Sequence, residues 1–277
     1  MNIYRGCTHG CIYCDARSSC YWQESLDHDF EDIEVKVRAP ELLEDALRRK
    51  RSPCMVGTGS MSDPYQHCEK ELGLTRRCIE IIDTYNCGLA ILTKSDLILR
   101  DLDLLERINR RTKCVVQITL TTSDESLCRI VEPNVCTTKR RVEVLNILRD
   151  RGIPTVVWFT PLLPFINDTE ENVYTILQYC IEARVYGIIV FGMGLTLRDG
   201  DRQYFYQKLD EHFPGVKEKY IRTYGNSYQL PVPGNARLMD ILQSGCRRHN
   251  IICNADELFR YMHALDTATS PDQPELF

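Results

Sequence analysis

The sequence has no basic surplus and no long apolar run. Its 34 lysine and arginine residues are outnumbered by 39 aspartate and glutamate residues, which gives a formal net charge of −5. A protein that neutralises many phosphates usually carries a basic surplus, so this balance disfavours a nucleic-acid partner, although a local basic patch stays possible. No stretch approaches the ~20 apolar residues of a membrane span, and the N-terminus lacks a signal-peptide profile. We therefore expect a cytoplasmic protein without membrane association.

The chain also lacks a second Cys-x-x-Cys pair, an internal repeat and a low-complexity segment. Structural zinc sites usually take four ligands from two such pairs, so zinc would need Cys20 or His9 as a further ligand. Covalent haem attachment requires a histidine after the second cysteine, where this chain has Asp15. The glycines of FGMG (191–194) lack the spacing of a dinucleotide fingerprint. Attached haem is therefore excluded, and zinc is kept as a minor alternative.

Cysteine, by contrast, is abundant, with 14 residues in a chain of 277. In a long chain without an export signal, most of these should be reduced thiols rather than a disulfide framework. A single cysteine in or beside an apolar run usually behaves as a small buried hydrophobe. That expectation covers Cys78, Cys87, Cys114, Cys128, Cys136 and Cys180.

Three cysteines do not fit that interpretation, because Cys7, Cys11 and Cys14 form the pattern Cys-x3-Cys-x2-Cys. Composition alone would produce this pattern with a probability of about 0.03. Thiolates are the usual ligands of iron–sulfur clusters, and a cubane contains four irons. Three cysteines leave one iron open to bind another molecule, so the motif predicts a [4Fe–4S] cluster with a ligand-binding iron.

The segment CTHGCIYC (7–14), with Tyr13 directly before the last cysteine, resembles the cluster loop of radical S-adenosylmethionine (SAM) enzymes. The resemblance implies that the open iron chelates the amine and carboxylate of SAM. It also implies reductive cleavage of SAM to methionine and a 5′-deoxyadenosyl radical, with an electron from a donor such as flavodoxin or ferredoxin. The radical would then take a hydrogen atom from a substrate.

The rest of the sequence alternates short β-rich runs with segments of helical period. The runs lie at 54–59, 89–94, 114–122, 154–163 and 187–194. Such alternation predicts an α/β fold with a parallel sheet, whose sites lie at the carboxyl ends of the strands. With residues 2–4 as a first strand the count is six, which resembles the partial (β/α)6 TIM-type barrel of the radical SAM core. We expect that barrel over residues 1–200 and a mainly helical extension packed on it over 201–277.

A closer resemblance, over about residues 2–200, is to the spore photoproduct lyase-like (DNA repair photolyase-like) family. It rests on NIYRGCTHGCIYCDAR, GSMSDPYQ, ILTKSDLILRDLDLL, TTSD, EPN with KRR, and PLLPFINDTEEN, in the order and spacing of that family. The resemblance implies that Tyr13 lies against SAM and that Ser62 and Asp63 meet its methionyl amine. It also implies that Lys94 approaches the carboxylate, and Thr119, in place of a serine, the ribose.

The residue types agree with most of these roles. Ser62 and Asp63 follow a run that ends in GTGS, where small residues let a ligand reach the backbone. Lys94 ends the next run, so it should lie at the same edge of the sheet. The alternatives are a plain turn at Asp63 and a solvated side chain for Lys94.

Two departures from the lyase-like pattern affect the predicted function. Ser60 stands where the family has a cysteine that donates a hydrogen atom to the product radical, and a serine O–H bond is too strong for that transfer. Asp15 stands where the family has a tyrosine. The candidate catalytic positions are therefore Tyr13 and Ser60, but repair of spore photoproduct is not expected. Cys54 and Cys68 are candidates for a replacement donor, with core packing as the alternative for Cys54.

Several further residues have two interpretations. Glu132, Arg140 and Arg141 either face the active site or form a salt-bridged helix start. His9 either contributes hydrogen bonds near the cluster sulfurs or lies at the surface. The segment 191–194 is predicted as a strand end that borders the adenine.

The C-terminal half adds a second group of candidates. Asn167 and Asp168 are predicted as a turn and a helix cap rather than as substrate contacts. Tyr220, Tyr224 and Tyr228 are candidates for a wall that closes the active site, although aromatic residues at this spacing are as often part of a core.

Three functions remain open at this point. The first is a radical SAM enzyme acting on an unidentified small molecule, cofactor, peptide or RNA. The second is a spore photoproduct lyase-like DNA repair enzyme, which should show a basic face at the mouth of the barrel. The third is a non-catalytic iron–sulfur or zinc-binding protein, which needs no pocket for an adenosyl group. Ser60 and the negative charge favour the first.

Overall fold

The computed structural model describes residues 1–21 and 29–265 of the chain. Residues 266–277, the end of the predicted C-terminal extension, lie outside the described residues. Within the described part, no helix is long and apolar enough to cross a bilayer. The structure confirms the predicted α/β class, because helices flank a parallel sheet.

The strands of the described residues form one central sheet and two small antiparallel pairs. They are β1 (Tyr4–Arg5), β2 (Glu34–Val35), β3 (Met55–Thr58), β4 (Gly88–Thr93), β5 (Cys114–Thr119), β6 (Thr155–Trp158), β7 (Gly187–Ile189), β8 (Gly194–Thr196) and β9 (Gln229–Pro231). Strands β3 to β7 make the central sheet, which is parallel throughout and follows the order of the chain. β4 and β5 are buried over nearly their whole length, as expected for strands of a sheet covered on both faces.

Helices connect the central strands and make up most of the C-terminal part. They are α1 (Ala39–Arg48), α2 (Glu69–Leu72), α3 (Leu74–Thr84), α4 (Leu102–Arg111), α5 (Glu125–Val131), α6 (Thr138–Asp150), α7 (Glu170–Glu182), α8 (Asp201–His212), α9 (Val216–Tyr224), α10 (Asn235–Arg248) and α11 (Ala255–His263). Polar side chains fix several starts: Asp124 caps α5 and Asn254 caps α11 by accepting from backbone N–H groups. Each helical return lets the next strand begin beside the last one.

The predicted first strand forms, but it does not join the parallel sheet. β1 pairs antiparallel with β2, with Tyr4 opposite Val35. It still lies beside β3, because the Ser62 hydroxyl donates to the Tyr4 carbonyl over 2.8 Å. Gly6, with φ 83°, turns the chain directly after β1, so only a very short strand can form. The parallel sheet therefore has five strands rather than six.

Four of the central strands are shorter than their predicted runs, and β6 and β7 are shortened most. β6 ends at Trp158, inside the predicted 154–163, and Pro161, which has no N–H to donate, follows soon after. The run at 187–194 is divided, because β7 ends at Ile189 and Gly194 begins β8, which pairs with β9. The single strand predicted over 187–194 is therefore wrong, since these residues carry the chain from one sheet to another.

The two faces of the central sheet are covered differently. The side chains that point to the outer face of the sheet pack against α3, α4, α6, α7 and α10. They include Leu89, Ile91, Val116, Ile118 and Val157. The alternate side chains point to the opposite face, which we call the inner face, and pack against α11. They include Ala90, Val115, Val156 and Ile189. α11 therefore fills the inner face near the amino ends of the strands.

The packing of α11 leads to a stability prediction. Leu258 of α11 is fully buried, and a Cβ added to Gly187 would lie 2.3 Å from its Cδ2, so the two elements are in close contact. We expect Leu258→Ala to lower the free energy of unfolding by about 2–5 kcal/mol, because it leaves a cavity. Leu42→Ala in α1, where the side chain is 59% exposed, should change it by less than about 0.5 kcal/mol. Urea denaturation measures both, and equal effects would contradict this packing.

Candidate functional site

A loop with three cysteines connects β1 to a short 3₁₀ helix (Asp15–Arg17), and we call residues 6–14 the cysteine loop. Two glycines shape its backbone, because Gly6 and Gly10 have φ values of 83° and 69°, which favour glycine. A Cβ on Gly6 would lie 2.5 Å from the carbonyl oxygen of Phe30. The loop therefore follows neighbouring backbone so closely that a side chain at Gly6 would displace it.

Hydrogen bonds hold the cysteine loop from two sides. The Ile12 N–H donates to the last carbonyl of α5 over 3.0 Å, and the Asn134 N–H donates to the His9 carbonyl over 3.2 Å. The Asn134 side chain also donates to the Thr8 carbonyl over 3.0 Å. From the other side, the Gln66 side chain accepts from the Thr8 N–H over 3.0 Å. The segments after α5 and after β3 thus fix the path of the loop.

The loop brings Cys7, Cys11 and Cys14 together as free thiols, close enough that the charge of one affects the pKa of another. Burial raises the pKa of all three thiols, that of Cys7 to about 12. Metal binding at these thiols must therefore release protons. The backbone at Asp63 and His9 favours the charged form of Cys7 and so lowers its pKa, but burial outweighs this effect.

The three thiols do not surround a single point. Within residues 1–21 and 29–265, no three His, Cys, Asp or Glu side chains converge where one metal ion could bind. A cubane does not need such convergence, because each cysteine binds a different iron at a different corner. Three soft sulfur donors on one short loop therefore fit an iron–sulfur cluster.

Asp63, in the turn after β3, connects the carboxyl ends of two strands. Its Oδ1 accepts from the Tyr65 N–H over 2.8 Å and from the Thr93 hydroxyl over 2.7 Å. Its Oδ2 accepts from the Lys94 N–H over 2.8 Å, and His9 Nδ1 lies 3.5 Å from the same oxygen. Asp63 does form a turn, through Tyr65, but it also orients the backbone from which Lys94 projects.

Lys94 follows β4 directly and is partly exposed. Its ammonium group makes no hydrogen bond or ion pair with the residues that the structure describes, and Nζ lies 5.9 Å from the centre of the Tyr13 ring. Burial lowers the pKa of Lys94, but Cys11 and Glu132 outweigh burial, and the net direction is upward. Lys94 is therefore a charged group beside the cysteine loop that can bind an anion.

The other predicted cofactor contacts also lie at the carboxyl end of the sheet. Ser62 is buried, and because its hydroxyl proton is used on the Tyr4 carbonyl, its oxygen can still accept. Thr119, the last residue of β5, is buried. Ser60 is exposed and precedes Ser62 by two residues. The structure thus places Lys94 beside the cysteine loop, Ser62 against β1 and Thr119 at the end of β5, and it leaves Ser60 exposed.

The Tyr13 side chain forms a hydrogen bond to a buried ion pair. Its hydroxyl donates to the Glu132 carboxylate, which also accepts from Arg141 Nη2 over 2.5 Å. Burial alone would raise the pKa of Glu132, but Arg141 and Lys94 outweigh it and lower the pKa, so the carboxylate keeps its charge. Arg141 is fully buried. Glu132 and Arg141 therefore form a salt bridge near the start of α6, as in the second interpretation, and this pair also holds Tyr13.

The structure also decides between the two interpretations of Arg140 and of His9. Arg140 forms ion pairs with Asp96 and Glu143 in an exposed position, so for this residue the salt-bridged helix start is correct. His9 is 4% exposed, so the alternative of a surface position is wrong, because the loop packs the ring between Asp63 and His67. Burial lowers the pKa of His9 to about 4, so the ring is neutral.

The predicted turn and cap before α7 are only half correct. Asn167 forms the turn, since its Oδ1 accepts from the Leu163 N–H over 2.6 Å. The cap predicted at Asp168 is wrong, because the Thr169 hydroxyl accepts from the Asn172 N–H and α7 begins one residue later. Neither Asn167 nor Asp168 lines the cleft beside Tyr13.

A cleft of 380 Å³ opens beside Tyr13, past the carboxyl ends of β6 and β7. Its walls are formed by Tyr13 and Asp15, by residues 160–161 and 191–193, and by the β8–β9 pair with Asn235. Over the described ranges, none of the residues that line it is lysine or arginine. The cleft therefore lacks the basic lining expected for a duplex-binding mouth.

The three tyrosines predicted as a closing wall do not line this cleft. Tyr220 is fully buried in a core with Phe165 and Phe205, at ring-centroid distances of 5.7 and 5.4 Å. Tyr224 packs beside Tyr220 in the same core, and Tyr228 lines a different depression. The wall is supplied by β8 and β9 instead, because their pairing brings 194–196 and 229–231 to the mouth.

Asn134 and Gln66 contribute to the site although the sequence interpretation assigned them no role. Both lie in motifs that carry the family resemblance, EPN and GSMSDPYQ, and that resemblance is the signal that could have identified them. The residues of β9 gave no signal, because strand pairing between distant segments leaves no local pattern.

Comparison with known proteins gives consistent matches. The family model described as "Radical SAM superfamily" matches residues 1–177. The chain is 32% identical over 239 residues to the uncharacterized protein Rv2578c of Mycobacterium tuberculosis, covering 83% of this chain and 68% of that protein. It is 32% identical over 170 residues to the uncharacterized protein MJ0683 of Methanocaldococcus jannaschii, covering 61% and 62% of the two chains.

Among solved structures, a double mutant of spore photoproduct lyase with bound AdoMet and dinucleoside spore photoproduct matches with a TM-score of 0.64 and 15% identity. The match covers 90% of this chain and 73% of that protein. At this identity the similarity concerns the fold, and it confirms the predicted partial barrel. With a family model that covers more than half of its length, the chain belongs to the radical SAM superfamily, whose members use a [4Fe–4S] cluster and SAM.

Proposed function

We propose that this chain cleaves SAM reductively and acts on a substrate that is not a DNA photoproduct. Cys7, Cys11 and Cys14 bind three irons of the cluster. The observation that supports this most strongly is the cysteine loop, in which three free thiols are held at the carboxyl end of the sheet by Asn134 and Gln66. When bound, the cluster and SAM supply a 5′-deoxyadenosyl radical that takes a hydrogen atom from the substrate.

Lys94, Asp63 and Ser62 bind the methionyl end of SAM. Lys94 takes the carboxylate, because its ammonium is charged and makes no hydrogen bond or ion pair with the described residues. Asp63 accepts three hydrogen bonds, and a carboxylate offers about four acceptor sites, so one site remains for the methionyl amine. The Ser62 oxygen accepts from the same amine.

Tyr13 and Thr119 contact the adenosyl side. The Tyr13 hydroxyl is used on Glu132, so the residue offers its ring to the cofactor. Glu132 and Arg141 act through Tyr13 and are positioning residues. Thr119 contacts the ribose. Ser60 is exposed and has no thiol, so any hydrogen-atom donor to a product radical comes from another group.

The partners follow from the same chemistry. An external one-electron donor of the flavodoxin or ferredoxin type reduces the cluster. The cleft lacks a basic lining in the described part of the chain, and duplex binding depends on neutralising phosphates, so a small uncharged substrate is favoured over DNA.

Replacement of one loop cysteine tests the cluster assignment. Anaerobically reconstituted protein should contain about four irons and four sulfides per chain. With dithionite it should convert SAM to 5′-deoxyadenosine and methionine. Cys14→Ala should lose this cleavage, because a ligand is missing, whereas Cys20→Ala, at an exposed cysteine nearby, should behave like the wild type. About eight irons per chain, or an active Cys14→Ala protein, would contradict the assignment.

Charge removal at Lys94 tests the SAM-binding assignment. Lys94→Gln should weaken SAM binding about 10–100-fold, since a hydrogen bond to a charged group contributes about 1.5–3 kcal/mol. The iron content should not change. Lys70→Gln, at an exposed position in α2, is the matched control and should bind SAM normally. Equilibrium dialysis with labelled SAM measures both, and normal affinity in Lys94→Gln would show that Lys94 does not bind the carboxylate.

We expect no repair of spore photoproduct, either in DNA or as a dinucleotide. Ser60 cannot donate a hydrogen atom as a thiol does, and the cleft has no basic lining. The assay combines protein, dithionite, deuterated SAM and photoproduct-containing DNA under anaerobic conditions, with a spore photoproduct lyase as positive control. Restored thymine would overturn this part of the proposal, and cleavage of SAM without repair would support it.

A further inference from the structure

Gln117 is a polar residue on the inner face of the sheet. It lies in the middle of β5 and is only 6% exposed. Strand alternation sets its direction, because Val115 packs against α11 on the inner face, while Val116 and Ile118 pack outward. A polar group that is this deeply buried normally has hydrogen-bond partners for all of its atoms.

Trp158, on the neighbouring strand β6, is the partner of one end of this amide. Its indole Nε1–H donates to Gln117 Oε1 over 2.8 Å. An indole N–H can only donate, so the atom that faces it must be the carboxamide oxygen, and the orientation of the amide is fixed. The Nε2 group of Gln117 then turns away from Trp158, and it makes no hydrogen bond to any residue in 1–21 or 29–265.

Aromatic rings connect this amide to the cleft beside Tyr13. The Trp158 and Phe191 rings meet edge to face, with centroids 5.7 Å apart, and Phe259 of α11 stacks on Phe191 at 6.1 Å. Phe191 lines the cleft and is 62% exposed, which leaves much of a large apolar ring uncovered. The contact between the Trp158 and Phe191 rings therefore links the partner of Gln117 to a ring that lines the cleft.

Toward the exposed edge strand β3 the inner face is open, and the strand positions on this face are uncharged. Gly57 of β3 is paired with the inner-face residue Ala90, and no atom lies within 4 Å of the position of a Cβ on Gly57. No inner-face position within β3 to β7 carries a charged side chain. An ionic group placed beside the buried Gln117 would lose its hydration, whereas an uncharged group would not.

From these contacts we propose that the inner face holds a substrate subsite for an uncharged planar ring that bears a carbonyl oxygen. Gln117 Nε2 donates to the carbonyl, and the Trp158 and Phe191 rings contact the planar ring. Gln117 is then a residue that determines specificity. The inference rests on the proposed function, since it concerns the molecule on which the radical acts.

Two small probes test the subsite without knowledge of the natural substrate. 1-Methyl-2-pyridone is a neutral planar ring with a carbonyl oxygen, and toluene is a ring of similar size without one. Both are titrated by ligand-observed NMR into the reconstituted protein with SAM and without reductant. The wild type should prefer the pyridone about tenfold or more, because a site built to donate to a substrate group rejects an analogue that lacks it.

Gln117→Met keeps the length of the side chain and removes the donor, so the preference for the pyridone should disappear. Gln178→Met, the same change at an exposed position of α7, should keep the preference. Phe191→Ala changes an exposed ring, which the fold should tolerate, and it should weaken both probes alike while the preference remains. This variant tests the subsite even if Gln117→Met does not fold.

The possible failures are distinguishable. Lack of binding, equal affinity for the two probes, or a preference that survives in Gln117→Met would overturn the subsite. So would unchanged binding of both probes in Phe191→Ala. Failure of the wild type to produce 5′-deoxyadenosine would overturn the proposed function instead, because cleavage is measured in a separate assay with reductant.

Discussion

The buried ion pair between Glu132 and Arg141 is the interaction on which the arrangement of the site depends. Arg141 also donates to the carbonyls of Thr119 and Cys136, and Glu132 also accepts from Tyr13. The pair thus joins β5, the start of α6 and the cysteine loop at one point. Desolvation offsets much of the attraction in such pairs, but removal of one partner costs about 3–5 kcal/mol, because the other charge stays buried. The pair therefore specifies one arrangement rather than adding much stability.

A second constraint is the way the two halves of the inner face are used. Near the amino ends of the strands, α11 fills this face with Leu258 and Met262. Nearer the carboxyl ends, Gln117 and Trp158 replace aliphatic residues, and beyond them lies the cleft beside Tyr13. Rigid packing at one end allows an open, partly polar region at the other, which is where parallel sheets place their sites.

Whether the position of a residue could be predicted from the sequence depends on how far along the chain its contacts lie. Cys7, Cys11 and Cys14 could be selected from the sequence, because their spacing is a local property of one loop. Lys94 and Asp63 could be placed at the same sheet edge, because each follows an apolar strand. The positions of two other candidates, the helix cap and the tyrosine wall, were predicted incorrectly. Thr169 rather than Asp168 caps α7, and the sequence could not distinguish them because both are polar residues that commonly cap helices. Tyr220 joined a core rather than the cleft, since its helix packs on partners that are distant in the chain.

The sequence by itself determined the alternation of strands and helices, the cysteine motif and the family to which the chain belongs, because each of these is written in short-range patterns. Only the tertiary structure decided that β1 pairs outside the parallel sheet, that Asn134 holds the cysteine loop and that β8 and β9 close the cleft. It also decided that Trp158 fixes the orientation of the Gln117 amide. These features depend on contacts between segments far apart in the chain, and the geometry of such contacts is set by packing rather than by any local pattern of residues.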